Sequence, residues 1–463
     1  MGWWPASYKN PQSAATFECL HNFHIMNLQG KLAHTDFYRS LEQISDGSGL
    51  ESFPDRESQF MVMMREWRHI KMGKRFRQAH DPTGLSGTQE GLCAVLCCAC
   101  PIPNVNLPED WYQAPTDKKW LYSLLISKDA NFKQKAWARP NDHHDAPLNP
   151  RWGCTVHHKP YLKEITKYAN QDETSHCVGF SAIWDANNKK TKGLRATGVS
   201  AVTCSHHELV QPNGLGDLQV GEQYGNMDYI LLSSVLSCVL VLIIIFYDIA
   251  CQWGKGFCIC MEKMPECLHL PEALKIKFKV PKFHLPAHIE KCFAPYAFNF
   301  TESIGLTDGE GIDGRWDIMD DHCNHWNWRK TVHLPESLLK KLLKAISEAV
   351  VHRLAFEAFT DGLKIHHSTK LALWESQVVV WEEGRDSFCP YNLPVNTITL
   401  SKLKLELAAE EHQKEVDGKG TSDHTISGMV IEAIEIEEVQ CSLIATLEEK
   451  NLSKFQQTTI QKS

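Results

Sequence analysis

The chain has 463 residues and a mass of 52.7 kDa, which exceeds what one hydrophobic core organises and suits roughly two to four domains. Hydrophobic residues make up 43% and charged residues 22%, with 14 Trp and 19 Phe, which excludes a disordered or collagen-like chain. The formal charge of −8 excludes a uniformly basic surface and confines any nucleic-acid contact to a local region.

From Ser13 to Met72, Phe23, Met26, Phe37, Leu41, Phe60, Met63, Met64 and Trp67 recur at three- and four-residue spacings and predict helices. Arg65, Arg68, Lys71, Lys74, Arg75 and Arg77 add the most basic stretch in the chain, which reads either as a solvated helix face or as a DNA contact. Residues 1–92 are therefore expected to form a helical region. The start, Met1-Gly-Trp-Trp-Pro5, lacks the basic-then-apolar pattern of a signal peptide. A connector over 93–118 holds Cys93, Cys97, Cys98 and Cys100. Seventeen cysteines without an even framework suit a reducing compartment better than a secreted, disulfide-bonded module. Cys97 and Cys100 form a Cys-x-x-Cys, a candidate zinc pair whose nearest further donors are Cys204, His206 and His207; buried, unligated thiols are the alternative.

Trp120 to Asp129 predicts an apolar strand ending in an acid, and a polar insert without strong period follows to about Ser175. Gly193 to Thr203 is small-residue strand, and Pro212-Asn-Gly-Leu-Gly-Asp217 lacks the Gly-Lys-Ser/Thr of a phosphate cradle and reads as a turn. Tyr229 to Phe246 carries no charge and approaches membrane-span length. Its three serines, β-branched second half and continuation into Tyr247-Asp248 predict instead a helix followed by a buried strand over Ile243 to Tyr247, and no membrane partner is expected. Helical spacing returns at Leu338, Leu339, Leu342, Leu343, Ile346 and Val350 and again at Leu400, Leu403 and Leu407, within a helical region expected over 331–415. The acidic, aliphatic tail over 416–463 suits a helix with frayed ends that could pair with a second copy, making a homo-oligomer an expectation.

Asp129 and Asp248 close apolar strands, and Glu310 stands in Thr307-Asp-Gly-Glu-Gly311. Three carboxylates gathered at one sheet edge can hold two Mg²⁺ or Mn²⁺ ions beside a phosphodiester. Asp308 is a turn residue that could substitute as a ligand, and Asp185 resembles Asp129 locally but lacks an apolar strand before it. His284 and His288 are separated by Pro286, so they cannot share a regular helix face as a zinc pair would. Trp326 and Trp328 with Arg329 and Lys330 read either as core packing or as a stacking and backbone contact for DNA.

The strings Tyr247-Asp-Ile-Ala-Cys-Gln-Trp253, Pro281-Lys-Phe-His-Leu-Pro-Ala-His288, Thr307-Asp-Gly-Glu-Gly311 and Asp320-Asp-His-Cys-Asn-His-Trp-Asn-Trp-Arg-Lys330 resemble the Kyakuja, Dileera and Zisupton (KDZ) transposases of fungi. Upstream strings match in order, among them Gly2-Trp-Trp-Pro-Ala6, Asp36-Phe-Tyr-Arg-Ser-Leu41, His80-Asp-Pro-Thr-Gly84 and Asp129-Ala-Asn-Phe132, so the resemblance covers about nine tenths of the chain. It implies an α/β fold: a ribonuclease H-like mixed sheet core over 119–330 with helical N-terminal and C-terminal regions. It further implies DNA strand cleavage and transfer at transposon ends, in the nucleus, with Asp129, Asp248 and Glu310 as two-metal ligands and His284, His288 and Asp308 in support. Compared with the family pattern, the segment between Glu310 and Asp320 is shortened, the C-terminal helical region is shorter, and most of an upstream cysteine-cluster domain is absent. The alternative function is therefore an inactive or domesticated copy that keeps DNA binding or another interaction.

Overall fold

Two short antiparallel strands, β1 (Trp3–Pro5) and β2 (Ala14–Thr16), lead into three helices, α1 (Phe17–Gly30), α2 (His34–Ser45) and α3 (Glu57–Arg75). This computed structural model describes residues 2–132, 135–138, 148, 152–168, 193–236, 240–301, 320–384, 388–391, 436 and 440. Thr16 caps α1 by accepting a hydrogen bond from the Cys19 N–H at 3.1 Å. The helix ends at Lys31, whose φ of 55° breaks the right-handed run. Leu20, Phe23, Phe37, Phe60, Met63, Met64 and Trp67 bury one another in a single cluster, as their spacing predicts. Met26 departs from it at 49% exposure, because the buried stripe of α1 runs through Leu20, Phe23, His24 and Leu28 and leaves position 26 outside.

A five-stranded mixed sheet follows, built from β3 (Leu124–Asn131), β6 (Gly198–Cys204), β7 (Val210–Leu218), β8 (Leu242–Phe246) and β9 (Lys275–Lys279) in the spatial order β7-β6-β3-β8-β9. Strands β4 (Ala136–Trp137) and β5 (Leu194–Ala196) make a separate pair. β3 runs parallel to β8 and β8 parallel to β9, whereas β6 is antiparallel to both β3 and β7. The sequence of β8, Leu-Ile-Ile-Ile-Phe, suits a central strand covered on both faces. Alternation along it divides the packing: Ile243 and Ile245 join Ile126 in the main core, while Ile244 and Phe246 join Leu125 and Phe298 on the opposite face.

The uncharged run at 229–246 resolves into α5 (Tyr224–Val235) and then β8, as its composition predicts. Among the described residues no helix is long and apolar enough to cross a membrane. The polar insert contains α4 (His158–Ile165), which its sequence does not announce; Tyr161 and Ile165 tie it into the main core. The expected turn at Pro212 to Asp217 is instead part of β7. Its turn-like composition accommodates a bulge, since pairing jumps from Ala201↔Leu215 to Thr203↔Val210 and Asn213 adopts a φ of 51°.

After β8 come α6 (Ala250–Lys263), the short α7 (Phe293–Tyr296) and the long α8 (Asp320–Glu382), whose helical course breaks at His367. The first turns of α8 are docked. Asp321 accepts from His24 at 2.5 Å and Arg75 at 3.1 Å. Asn324 bonds Val95 N–H and Cys93 C=O, and Asn327 bonds Val95 C=O and both backbone groups of Val210. The bonds to Cys93 and Val95 satisfy backbone groups of the connector that no ladder supplies, and those to Val210 tie the helix to the start of β7. The chain forms two units, Met1–Arg385 and Asp386–Ser463. Asp185, Asp308, Glu310, the segment up to Asp320, Leu400, Leu403, Leu407 and nearly all of the acidic tail lie outside the described residues.

Candidate active site at the ends of two parallel strands

The register of β3 on β8 pairs Leu124 with Ile243 and Ser127 with Phe246. Continued two residues past the end of β8, it sets Asp129 level with Asp248. Asp129 is still paired with Ala201 of β6 near the carboxyl end of β3, and Asp248 follows the carboxyl end of its parallel neighbour β8. The Asp129 carboxylate accepts from the Ala130 N–H at 2.7 Å, and its backbone carbonyl accepts from Ser200 Oγ at 3.1 Å. Tyr247, just before Asp248, remains tied to β9 through its N–H on the Lys279 carbonyl. Burial pushes the Asp248 carboxyl above its ordinary range, against the opposing charges of His284, Lys128 and His288.

A further carboxylate reaches this place from the loop between β7 and α5. Glu222 accepts a hydrogen bond from Tyr247 Oη. Burial, and then the negative charges of Asp248 and Asp129, push it up to about 8 despite that bond. Beneath lies Lys128, 2% exposed, with its Nζ 3.4 Å from the Trp253 ring centroid and 4.2 Å from that of Tyr247. Asp228 on α5 accepts from Trp253 Nε1 at 2.5 Å and is pushed by burial up to about 6, with the Lys128 charge opposing the rise. One buried cation therefore faces three acids with raised pKa values.

His288 packs beside Asp248, with Nδ1 3.3 Å from Cys251 Sγ; burial lowers its pKa, against the opposing charge of Asp248. His284 ends one residue before a single 3₁₀ turn, Leu285–Ala287, so the two histidines approach the second acid from an irregular segment and not from a helix face. Cys251, His288 and Cys292 bring their donor atoms within 4.8 Å of one another. A second such group, Cys97, Cys100, Cys204 and His207, lies at the other end of the β3–β6 pair. Both groups could hold a metal such as zinc; among the described residues they are the two sets of three or more His, Cys, Asp or Glu donors that close to this distance. His206 faces His207 edge-on and is not in the set.

The basic helix is divided in its use. Arg68 donates to Asn27 and Arg75 pairs with Asp321, while Lys71 lies 4.9 Å from the Trp67 ring. Lys74 and Arg77 are exposed and Arg65 is half-buried. Trp326 and Trp328 are 49% and 58% exposed, so they do not pack a core; Lys330 lies over Trp326 at 4.9 Å and pairs with Glu208, and Arg329 reaches Gln29.

Sequence patterns pointed to Asp129 and Asp248 but not to Glu222, Asp228 or Lys128. Glu222 stands in a loop without period, and Asp228 resembles any acid early in a helix. A signal existed for Lys128, the one cation in β3 and a charge placed two residues after the apolar Leu124–Ile126 run.

A family model described as Kyakuja-Dileera-Zisupton transposase matches residues 122–325, from just before β3 into the first turns of α8. Another, described as CxC2 like cysteine cluster associated with KDZ transposases, matches residues 1–49, a stretch whose one cysteine is Cys19. No curated relative and no solved structure matches the chain.

Proposed function

Because the chain belongs to the Kyakuja-Dileera-Zisupton transposase family, we propose that it cuts and joins DNA at transposon ends with a carboxylate set on a ribonuclease H-like core. The observation that supports this reading is the β3–β8 register, whose last pair, Ser127↔Phe246, stands two residues before each of the two acids. The five-stranded mixed sheet with its packed helices suits such a core. In this reading Asp129, Asp248 and Glu310 hold two divalent cations.

The donor chemistry fits. Carboxylate oxygens are hard ligands that favour Mg²⁺ or Mn²⁺, and the raised pKa values of Asp248 and Glu222 mark a place where burial and negative charge would be relieved by a cation. When bound, the ions supply activation of a water or 3′-hydroxyl and neutralisation of the leaving oxygen. The protein does the positioning. Tyr247 orients Glu222, and Lys128 offsets buried negative charge. Exposed Trp326 and Trp328, with Arg329, Lys330, Lys74 and Arg77, offer stacking and phosphate contacts to the DNA. Nuclear residence follows from that substrate.

The test is nicking of terminal-repeat DNA in Mg²⁺ or Mn²⁺ by the full chain. Asp129→Asn, Asp248→Asn and Glu310→Gln should each slow cleavage by at least about a hundredfold, since each removes part of a metal clamp worth several kcal/mol. Undiminished nicking by Asp248→Asn would overturn the assignment. A wild-type chain that binds these ends and never cuts them would place it among inactive copies.

A further inference from the structure

We propose that Cys97, Cys100, Cys204 and His207 bind one structural zinc ion that fastens the connector to the turn between β6 and β7. Two pairs with the same spacing, Cys97-x-x-Cys100 and Cys204-x-x-His207, meet although Cys100 and Cys204 are 104 residues apart. His207 Nδ1 lies 3.3 Å from Cys97 Sγ and 3.5 Å from Cys204 Sγ, and Cys100 Sγ lies 3.0 Å from Cys204 Sγ. Zinc–sulfur bonds of about 2.3 Å and zinc–nitrogen bonds of about 2.0 Å at tetrahedral angles place neighbouring ligand atoms about 3.5–3.8 Å apart. The four donor atoms, all within 4.8 Å of one another, surround a space of that size.

The donor set also selects the metal. Three thiols and one imidazole are the ligands of a closed zinc centre, and soft sulfur disfavours the cations that suit carboxylates. The three cysteines are free and are 4%, 8% and 0% exposed, so the thiol donors sit away from solvent, with His207 half-buried at the edge of the set. The backbone bends to present them. Cys100 N–H returns to Cys97 C=O at 3.2 Å, and Glu208 N–H returns to Cys204 C=O at 2.7 Å. Asn106 then bonds the carbonyls of Cys98 and Cys100, holding the first turn in shape.

Position decides the role. Cys204 pairs with Ile126 in the β3–β6 ladder, three steps from the Ala201↔Asp129 pair, so the site lies toward the strand end away from the acids. Four protein ligands leave no open coordination position, which makes the ion structural. It adds a cross-link to a connector otherwise tied to the rest of the fold by the backbone bond from Cys93 N–H to Trp152 C=O and by side-chain bonds such as those of Asn324 and Asn327.

The experiment is metal analysis of the purified, reduced full chain after exhaustive desalting. One zinc per chain is expected, lost in Cys100→Ser and His207→Asn and kept in Cys98→Ser and His206→Asn, the two neighbours outside the set. Replacing the metal with Co²⁺ should give the intense visible bands and sulfur-to-metal charge transfer of a tetrahedral thiolate site. Cys292→Ser distinguishes the other cluster: zinc lost there and kept in His207→Asn overturns the proposal. Should the ligand variants not fold, the wild-type cobalt spectrum decides, and a chain that takes up cobalt without the thiolate signature, or folds holding no zinc, overturns it as well. Neither arm depends on DNA cleavage.

Discussion

Tyr247 donates its phenolic hydrogen bond to Glu222, so the residue preceding one acid at the strand ends holds a second acid that arrives from another loop. This contact works against burial and the charge of Asp248, which together keep the Glu222 carboxyl protonated up to about pH 8. The folded chain then retains a proton that the unfolded chain, with an ordinary glutamate, releases from the mid-acid range upward. Stability must fall as pH rises through that interval, by at most about 1.4 kcal/mol per unit for this one group. Urea unfolding from about pH 5 to about pH 8 should show a slope that Glu222→Gln flattens. Tyr247→Phe, removing the donor to the ionised form, should carry the slope to higher pH. Superimposable slopes for wild type and Glu222→Gln would rule the shift out.

Lys128 gives a second expectation. Its ammonium is enclosed by the Trp253 and Tyr247 rings and its charge holds down the pKa values of Asp228, Glu222 and Asp248. Lys128→Met keeps the volume and removes the charge, leaving acids buried without compensation, so about 3–5 kcal/mol should be lost at neutral pH. At about pH 5 the loss should shrink, because Asp228, already raised to about 6, is then mostly protonated. A penalty independent of pH would mean that the lysine acts through packing alone.

Much of this arrangement was legible because burial and strand order both leave marks on local sequence. The isoleucine-rich Leu242–Phe246 run suits a covered strand, and an acid two residues after such a run points to a sheet edge. The register that levels Asp129 with Asp248 leaves no such mark, since one-residue slips keep the same composition. Glu222 and Asp228 were hidden for a related reason: what distinguishes them is the company of Lys128, Tyr247 and Trp253, brought from β3, the end of β8 and α6 only by folding. His207 was named as a donor near Cys204, but choosing it over His206 required the hairpin turn itself. The Pro212–Asp217 segment misled because a strand bulge and a turn call for the same small and left-handed residues.

Two glycines of α6 should respond oppositely to the same change. A Cβ on Gly254 would sit 2.7 Å from Phe278 Cγ and 2.9 Å from Cδ2, within the aromatic packing that joins α6 to β9, whereas a Cβ on Gly256 meets nothing within 4 Å. Gly254→Ala should therefore destabilise by about 1–3 kcal/mol through overpacking. Gly256→Ala should stabilise by about 0.5–1 kcal/mol, the helix-propensity gain of alanine over glycine. Paired thermal melts check both, and two shifts of the same sign would show that Phe278 yields freely.

The basic face of α3 separates into residues that hold the fold and residues that remain available to a polyanion. Arg75 pairs with Asp321, which is 7% exposed; although burial acts to raise its pKa, the His24 hydrogen bond and the charges of His24, Arg75 and Arg68 keep that carboxylate below its usual range. Lys74 and Arg77, by contrast, extend into solvent on the same segment. If this face lies along DNA, Lys74→Ala and Arg77→Ala should each reduce the dependence of log affinity on log salt by about 1 while leaving the melting temperature in place. Arg75→Ala should first cost about 1–2 kcal/mol of stability, because a buried carboxylate loses a charged partner. Fluorescence anisotropy at several salt concentrations, read beside thermal melts, makes the comparison. A salt slope unmoved by Lys74→Ala and Arg77→Ala would remove this helix from the DNA path and leave the exposed Trp326, Trp328, Arg329 and Lys330 on α8 as the contact to examine.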